Sequence, residues 1–425
     1  MADPGPLTAR CAGSLEGASF AKQELSRKEN QMNVTVNKKP AEKYGTAGSV
    51  LGLQLERIQL REIELPLKAP FETSFGITSR RRVLIVRIFD KNGASGYSEC
   101  TAMEEPFYNH ETIDTAWTII SKYVVPMLAS ASVSKASDVS RIVAPIQGNC
   151  MAVGAVETAI WDLEAKLLDK PLWRHLGGTK RVISCGVSIG LQKSPEILLE
   201  KVAREVDSGY QRIKIKIKPM QDIELVKAVR KEFPAITLSV DANSAYSLER
   251  DAALMQELDD YDLLMIEQPL SAGDLLDHAK LQKRLKTAIC LDESITSLRD
   301  ARHALELDAC RIINIKLGRV GGHTSARAIQ EYAQLKGIPV WCGGMLESGI
   351  GRAHNIAMST HEGFTLPGDV SASARYWEKD VIKPPVTVNH KGTINVRSSP
   401  GIGYEVDEEY IETLTKRSEE IFLEK

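Results

Sequence analysis

The stretch RIKIKIKP, Arg212 to Pro219, governs how the rest of this chain is interpreted. Isoleucine alternates with a basic residue, and strict alternation of period two is typical of a β-strand. Strands of a parallel sheet are normally apolar on both faces, so a row of ammonium groups on one face needs a reason. We expect the isoleucines to pack outward, Lys214 and Lys216 to point inward, and Lys218 to reach solvent at the strand end.

Short apolar runs recur at a nearly constant interval through the middle of the chain. The successive runs are SCGVSIG, RIKIKIK, TLSVDAN, LLMIEQP, AICLDES, RIINIKLG, PVWCGGM and, more weakly, FTLPGDV. Amphipathic stretches such as DIELVKAVRKEF and TSARAIQEYAQLKG separate them, which indicates alternating strands and helices. Eight such units predict a parallel sheet closed into a barrel of about 200 residues.

The segments on either side of the barrel predict a second domain. Residues 51–178 contain strand patterns such as RRRVLIVRIFD and then helical ones such as AVGAVETAIWDLEAKLL, which is an α+β order. We expect the barrel to occupy 179–371. Residues 372–425, with a hairpin-like PPVTVNHKGTINV and a charged terminal helix, should complete the capping domain. Residues 1–50 are interpreted as a disordered or added extension.

Composition excludes several classes of function. The 425 residues include 54 Lys and Arg against 56 Asp and Glu, so no nucleic-acid or membrane partner is expected. Seven scattered cysteines without a C-x-x-C pair argue against a disulfide framework or zinc site and favour the cytoplasm. No apolar run is long enough for a transmembrane helix, and the first residues lack a secretory signal.

Three acidic residues end successive runs. Asp241 lies in LSVDAN, Glu267 in LMIEQP and Asp292 in ICLDES, at intervals of 26 and 25 residues. The carboxyl ends of barrel strands form the active-site face, so the three carboxylates should meet there. Any one of them could instead cap a helix, but three together repel and require a cation. Hard oxygen ligands suit Mg²⁺ better than zinc.

Lysines on two other strands should flank these carboxylates. Lys216 lies on the second run and Lys316 on the sixth, so they should stand on opposite sides of the ring. Lys214 shares a face with Lys216 and could pair with one of the acids. Two bases facing each other across a metal suit removal of a proton α to a carboxylate, because the metal stabilises the resulting enediolate.

Two other classes of function remain open at this point. Lys316 on the sixth strand could be the Schiff-base lysine of a metal-free aldolase. The barrel could also bind a ligand without catalysis. Three carboxylates at strand ends argue against the aldolase, and the presence of both lysines with all three carboxylates argues against a passive binding barrel.

From about residue 54 to the C-terminus, the sequence resembles the enolase superfamily. The motifs that match its o-succinylbenzoate synthase and N-acylamino acid racemase branch are IKIKIKP, VDANSAY, MIEQPL, CLDESI, NIKLGRVGG, VWCGGMLESGIGRAHN and LPGD. The resemblance implies an α/β fold, a modified TIM barrel of the (β/α)7β type with an α+β capping domain. It also implies Mg²⁺, or another divalent cation such as Mn²⁺, held by Asp241, Glu267 and Asp292.

The same resemblance assigns roles to the lysines. Lys216 and Lys316 become the acid–base pair, and Lys214 becomes the tuning partner of Lys216. One departure from the family pattern follows the second strand, where Pro219-Met220-Gln221-Asp222 stands in place of the frequent Pro-Gly-Trp-Asp. This departure alters a loop near the expected site.

Four more residues are candidates for contact with the substrate or support of the site. Asn243 lies two residues past a ligand and is either such a support or a turn residue. Arg319 either modulates Lys316 or forms an ion pair elsewhere. Glu347 lies in CGGMLESG, a segment expected near the substrate, and Phe75 lies in PFETSFGI, which resembles the mobile loop of the family's cap.

The resemblance implies a lyase, an isomerase or both. The leading activity is o-succinylbenzoate synthesis, the syn-dehydration of 2-succinyl-6-hydroxy-2,4-cyclohexadiene-1-carboxylate in menaquinone biosynthesis. Racemisation of N-acylamino acids, N-succinyl ones included, is the close alternative. Dipeptide epimerase and muconate cycloisomerase are remote ones. The implied partners are a small-molecule carboxylate and, in a homo-oligomer, further copies of the chain.

Overall fold

The structure, a computed structural model, describes residues 52–74 and 76–423. Within these residues, one antiparallel sheet, the cap sheet, contains the strands Leu55–Glu72, Ile77–Asp90, Ser95–Cys100 and Thr415–Phe422. The last of these comes from the far end of the chain and pairs with the first. Alternate residues of the first strand, such as Ile58 and Leu60, are fully buried, as period-two patterning requires.

Helices pack against the cap sheet. They are Ile113–Ile119, the π-helical turn Ile120–Val124, Val125–Ala129, Asp138–Ile142, Cys150–Leu167 and Leu172–His175. The longest, Cys150–Leu167, approaches the third strand closely because Gly96 has no side chain. A Cβ at Gly96 would lie 2.1 Å from the carbonyl oxygen of Ala159.

Seven parallel strands, each bonded to its neighbours in the sequence, form the sheet of the barrel. They are called the first to seventh barrel strands and are Gly186–Ile189, Arg212–Lys216, Leu238–Asp241, Ile266–Glu267, Ile289–Leu291, Ile312–Ile315 and Val340–Cys342. The eighth run, FTLPGDV, closes the ring through single bridges from Phe364 to Val340 and from Gly368 to Cys185. The predicted α/β barrel with an α+β cap is confirmed. Pro367 lacks an N–H donor, which keeps the eighth run from forming a regular strand.

The amphipathic stretches between the barrel strands form helices, as predicted. Their bounds are Pro195–Asp207, Ile223–Glu232, Leu248–Glu257 with the 3₁₀ turn Leu258–Tyr261, Leu275–Gln282, Leu298–Glu306, Leu317–Val320, His323–Leu335 and Gly349–Ser359. Ser194, Asp274 and Ser297 each begin a helix by accepting a first-turn backbone hydrogen bond. None of the helices in the described residues is long and apolar enough to cross a membrane.

The second barrel strand has two differently lined faces. Ile213, Ile215 and Ile217 are at most 1% exposed and belong to the core that packs against the helices. The Lys218 side chain is 33% exposed, so it keeps access to solvent beyond the strand end, as expected, but it also has a partner in the cap. Its Nζ lies 3.2 Å from Oε1 of Glu72, at the end of the first cap strand. A residue of the cap therefore contacts the end of this barrel strand. The alternation within a single strand could not have predicted that contact.

The carboxyl-terminal region differs from the prediction in two places. Thr393–Asn395, within the expected hairpin, pairs instead with Val182–Ser184 just before the first barrel strand. The terminal helix is short, Glu408–Leu414, and the charged residues after it form the strand Thr415–Phe422. Charged residues protect an edge strand as readily as they solvate a helix, so their pattern misled the prediction. The other short elements are Ile382–Lys383, paired with Glu405–Val406, and the 3₁₀ turn Ser373–Arg375.

A buried glutamate of the cap joins the two domains. Glu157 is 0% exposed and accepts hydrogen bonds from the backbone N–H groups of His323, at 2.8 Å, and Thr324, at 3.0 Å. These donors begin a barrel helix, where unpaired N–H groups and the helix dipole favour an acceptor. Gly322 leaves space for the carboxylate, since a Cβ there would lie 2.2 Å from Oε2 of Glu157.

Replacing Gly96 by alanine should destabilise the cap. The added Cβ would lie 2.1 Å from the oxygen of Ala159 and 2.4 Å from the nitrogen of Leu163, so the helix must shift. We expect the free energy of unfolding in urea to fall by about 1–3 kcal/mol. Gly273→Ala is the matched control, because a Cβ there meets nothing within 4 Å. An equal loss in both variants would contradict the close packing.

Candidate active site

The register of three adjacent barrel strands brings a lysine and two carboxylates to one level. Lys216 pairs with Asp241, and Asp241 pairs with Glu267. Facing residues of neighbouring strands share a side of the sheet, so these side chains converge inside the barrel. Asp292 follows the fifth strand directly. The three carboxylates are at most 1% exposed, and buried charges of this kind need partners.

Lys216 is held by the end of the third strand. Its Nζ lies 2.6 Å from Oδ2 of Asp241 and donates a hydrogen bond of the same length to Oδ1 of Asn243. Asn243 has φ +42°, a left-handed turn conformation that asparagine tolerates well. Asn243 thus forms a turn and also contacts the candidate base, and its support of metal or substrate stays a prediction.

Lys214 lies one layer deeper, among three carboxylates. Its Nζ is 2.7 Å from Glu267, 2.8 Å from Asp369 and 3.2 Å from Asp241. Burial opposes the charge of Lys214, but these carboxylates outweigh burial and raise its pKa above the usual value. Arg212 also binds Asp369, at 2.6 Å. Lys214 is thus fixed as an ammonium group.

Lys316 faces this group from the sixth barrel strand. Its Nζ lies 2.7 Å from Oδ2 of Asp292 and 3.2 Å from the hydroxyl of Tyr108. Burial would lower the pKa of Lys316, but the surrounding acidic groups, Tyr108 and Glu293 first among them, outweigh burial and raise it. Arg319 is 2% exposed and binds the other oxygen of Asp292. Arg319 therefore lies at the candidate site in a buried ion pair, and its effect on Lys316 stays a prediction.

Tyr108 is a residue that sequence reasoning missed. It comes from the cap, and its hydroxyl contacts Asp292, Lys316 and Arg319, each at 3.2 Å. The ammonium of Lys316 also lies 4.6 Å from the centre of its ring, a cation–π distance. A tyrosine in the loop sequence EEPFYNH carries no periodic signal that would identify it.

Three other residues at the site did have a signal in the sequence. Asn314 donates to Oε1 of Glu267 at 2.8 Å and precedes Lys316 by two positions, which puts both on one face of the strand. Asp369 ends the eighth run as the other acids end theirs. Glu293 follows Asp292 directly and accepts a hydrogen bond from Asn243 at 2.9 Å.

One cavity of about 60 Å³ lies where these groups meet. It is lined by Lys214, Lys216 and Asp241 on one side and by Lys316, Glu347, Asp369, Phe71, Ser188, Gly344, Leu346, Arg352 and Tyr376 around the rest. The two candidate bases thus face a common space. Glu347 is 6% exposed, and its carboxylate accepts hydrogen bonds from Met345 N and the side chain of Asn355.

The chemistry of the three strand-end carboxylates fits a divalent cation. They offer hard oxygen donors at the ends of the third, fourth and fifth strands. In the described residues these oxygens contact lysines, and no group of three or more His, Cys, Asp or Glu side chains is arranged so that it could hold a metal ion. Oε2 of Glu293 is buried beside them and has no hydrogen-bond partner in the part of the chain that the structure describes.

The loop candidates have different outcomes. Phe75 lies outside the described residues. Its neighbour Ser74 donates a hydrogen bond to the carbonyl of Asn243, so the loop between the first two cap strands reaches the site. The turn Pro219-Met220-Gln221-Asp222 is the one that differs from the family pattern. Its Met220 adopts φ +71°, a conformation that glycine takes without steric cost, and the residue is 96% exposed.

Removing both partners of the buried pair Arg212–Asp369 should cost less than the two single removals added together. Arg212 is 0% exposed, so Arg212→Met leaves a carboxylate short of a partner and should lower the free energy of unfolding by about 3 kcal/mol. We expect the double variant R212M/D369N to be less destabilised than the two single changes predict together. Urea unfolding measures both, with exposed Arg311→Met as the control. Strict additivity would contradict a coupled pair.

Two family models match the chain over most of its length. The first is described as the mandelate racemase / muconate lactonizing enzyme N-terminal domain and matches residues 57–177. The second is described as enolase C-terminal domain-like and matches residues 198–410. The first match falls on the cap, and the second covers most of the barrel and continues into the segment after it.

Curated relatives and solved structures agree with these matches. The chain is 50% identical to an o-succinylbenzoate synthase of Geobacillus kaustophilus, over 86% of this chain and 97% of that protein. It is 44% identical to an N-succinylamino acid racemase of Thermus thermophilus, over 85% and 98%. A crystal structure of an enolase superfamily member from Listeria innocua is 46% identical, covers 87% of this chain and 100% of its own, and has a TM-score of 0.84. The chain belongs to the enolase superfamily.

Proposed function

We propose that this protein is an o-succinylbenzoate synthase that removes a proton α to a substrate carboxylate and then expels water. One observation carries the proposal: Lys216 and Lys316, from the second and sixth barrel strands, line the same cavity beside Asp241. Relatives between 45% and 50% identical with this name, each matched over nearly its full length, support it. The reaction class is carbon–oxygen lyase.

The lysines divide the chemistry between them. Lys216 contacts Asp241 and Asn243 and lines the cavity, where it acts as the base that takes the α-proton and passes it to the leaving hydroxide. Lys214 is surrounded by three carboxylates, so it keeps its charge and offsets theirs. Lys316 faces the opposite side of the substrate and presents positive charge there, and Tyr108 and Asp292 orient it.

We propose Mg²⁺ as the cofactor, with Asp241, Glu267 and Asp292 as its ligands and Mn²⁺ as a substitute. Enzymes of this superfamily generally use a divalent metal. When bound, the cation would supply positive charge that favours an enediolate and would take over from the lysines as partner of the carboxylates. Asn314 donates a hydrogen bond to Oε1 of Glu267, and Arg319 binds Oδ1 of Asp292, so each of these two carboxylates is oriented by one partner.

Racemisation of N-succinylamino acids is the second candidate function. It needs two proton-transfer groups on opposite faces of one α-carbon, and Lys216 and Lys316 meet that requirement. Relatives from Thermus thermophilus and Amycolatopsis with this name are 44% and 42% identical. The same residues serve both reactions, so one chain can perform both.

The remaining expectations are part of the same proposal. The cap comprises 51–178 and is completed by 372–425, and the barrel comprises 179–371. The six described cysteines are free thiols, which suits a reducing cytoplasm. The partner is a small-molecule carboxylate, no nucleic acid is expected, and assembly as a homo-oligomer stays a prediction.

Lys216→Ala should lower kcat for dehydration and for racemisation by roughly 10²–10⁴-fold, because both begin with loss of the α-proton. Lys316→Ala should abolish racemisation. Lys227→Ala, on an exposed helix, is the control and should keep wild-type rates. Steady-state kinetics with both substrates measures this. Retained turnover in Lys216→Ala would remove it as the base.

Chelation should abolish the activity, and Mg²⁺ should restore it. Asp292→Asn should weaken Mg²⁺ binding in calorimetry, since a carboxylate ligand is lost. Full activity in EDTA, together with borohydride trapping of substrate on Lys316, would replace this proposal with Schiff-base chemistry.

Solvent exchange separates the two candidate functions. In D₂O, a racemase should incorporate deuterium at the α-carbon of an N-succinylamino acid, and mass spectrometry detects it. We expect exchange from both enantiomers in the wild type and, in Lys216→Ala, its loss for the enantiomer whose α-proton faces Lys216. Absence of exchange at high enzyme concentration would leave the synthase alone.

A further inference from the structure

One wall of the substrate cavity is a short segment with a strained backbone. Residues 343–348, the wall segment, run from the seventh barrel strand into the helix Gly349–Ser359. Gly344, Leu346 and Glu347 of this segment line the cavity. Leu346 has φ +57°, in the left-handed region that a branched side chain rarely adopts. Such a conformation persists only where the surroundings hold it.

A carboxylate of the cap holds the far end of the wall segment. Glu99 lies on the third cap strand and is 7% exposed. Its Oε1 accepts a hydrogen bond from Ser348 N at 3.2 Å, and its Oε2 accepts one from Gly351 N at 3.0 Å and another from the Ser348 hydroxyl. A Cβ at Gly351 would lie only 2.7 Å from the carboxylate carbon. The Glu99 carboxylate therefore packs tightly against the start of this helix.

Other contacts hold the wall segment from the barrel side. The carboxylate of Glu347 turns back to accept from Met345 N at 2.7 Å. Behind the segment lies a cavity of about 20 Å³, lined in part by Glu99, Thr101 and Glu347. The Thr101 hydroxyl is buried and has no hydrogen-bond partner among the described residues. A space of that size accommodates about one water. The wall segment therefore has space to move when its hydrogen bonds to Glu99 are lost.

We infer that Glu99 is a positioning residue of the substrate site, through which the cap sets the shape of the wall segment. It acts on Leu346 and Glu347 through Ser348 and Gly351. The described contacts of Glu99 do not include the lysines or the strand-end carboxylates, so it should affect how substrate is seated rather than how a proton is removed. The inference rests on the proposed function for its kinetic readout.

Glu99→Gln tests this inference, with Glu111→Gln as a matched control. Glu111 is also a buried cap glutamate at a helix start, and it accepts from Met151 N and Ala152 N at 2.9 and 3.0 Å. That helix, Cys150–Leu167, lies within the cap. We expect Glu99→Gln to raise KM for the dehydration substrate by about 10-fold, which is about 1.4 kcal/mol of binding, with kcat within about threefold and Mg²⁺ affinity unchanged. Glu111→Gln should leave KM unchanged.

Hydrogen exchange gives a readout that does not depend on turnover. In peptides covering 343–351, Glu99→Gln should accelerate amide exchange at least about tenfold, and Glu111→Gln should not. Ser348→Ala removes one of the three donors and should shift exchange and KM in the same direction by less, which keeps the test usable if Glu99→Gln folds poorly. A double variant should show less than additive effects, because both changes break one contact.

The outcomes separate the two proposals. Unchanged exchange in Glu99→Gln, faster exchange with unchanged KM, or an equal rise of KM in Glu111→Gln would each overturn the role of Glu99. A wild-type protein that turns over neither substrate would overturn the proposed function instead. In that case, exchange in 343–351 would still decide whether Glu99 holds the wall segment.

Discussion

The structure depends on the neutralisation of buried charge at the carboxyl end of the barrel. Lys214, Lys216 and Lys316 meet Asp241, Glu267 and Asp292 with little access to solvent, so each charge is supported only by its neighbours. Taking such groups out of water costs several kcal/mol per ion, and it is tolerated where every partner is in place. Arg212 and Arg319 contribute further positive charge to this cluster, because they form ion pairs with Asp369 and Asp292 respectively.

This requirement explains why the barrel needs its cap. The polar groups at the top of the barrel are closed off by Tyr108, which contacts Lys316 and Asp292, and by Glu72, which contacts Lys218. The cap is fastened to the barrel at the starts of two helices, by Glu157 and Glu99. One of these helices lies after the sixth barrel strand, which carries Asn314, and the other follows the wall segment that lines the cavity. The contacts that bind the cap to the barrel therefore also position elements next to the site.

Sequence reasoning succeeded where a residue's role follows from its place on a strand. Period-two alternation put Lys214 and Lys216 on the inner face, and the constant interval put Asp241 and Glu267 at strand ends. The same logic would have found Asn314 and Asp369. It could not find Tyr108 or the contact of Lys218 with Glu72, because these contacts join domains distant in the sequence. The terminal strand Thr415–Phe422 was mistaken for helix because its partner is the first cap strand, about 350 residues earlier.

The sequence by itself determined the barrel, its strand-end acids and its two facing lysines, because local periodicity and spacing encode those features directly. Only the tertiary structure decided which carboxylate each lysine contacts, that Arg319 and Tyr108 contact Asp292, and that Glu99 of the cap accepts hydrogen bonds from Ser348 and Gly351. Those facts depend on side-chain distances between elements that the chain brings together from far apart. No local pattern carries such distances, since they arise only when the two domains close on each other.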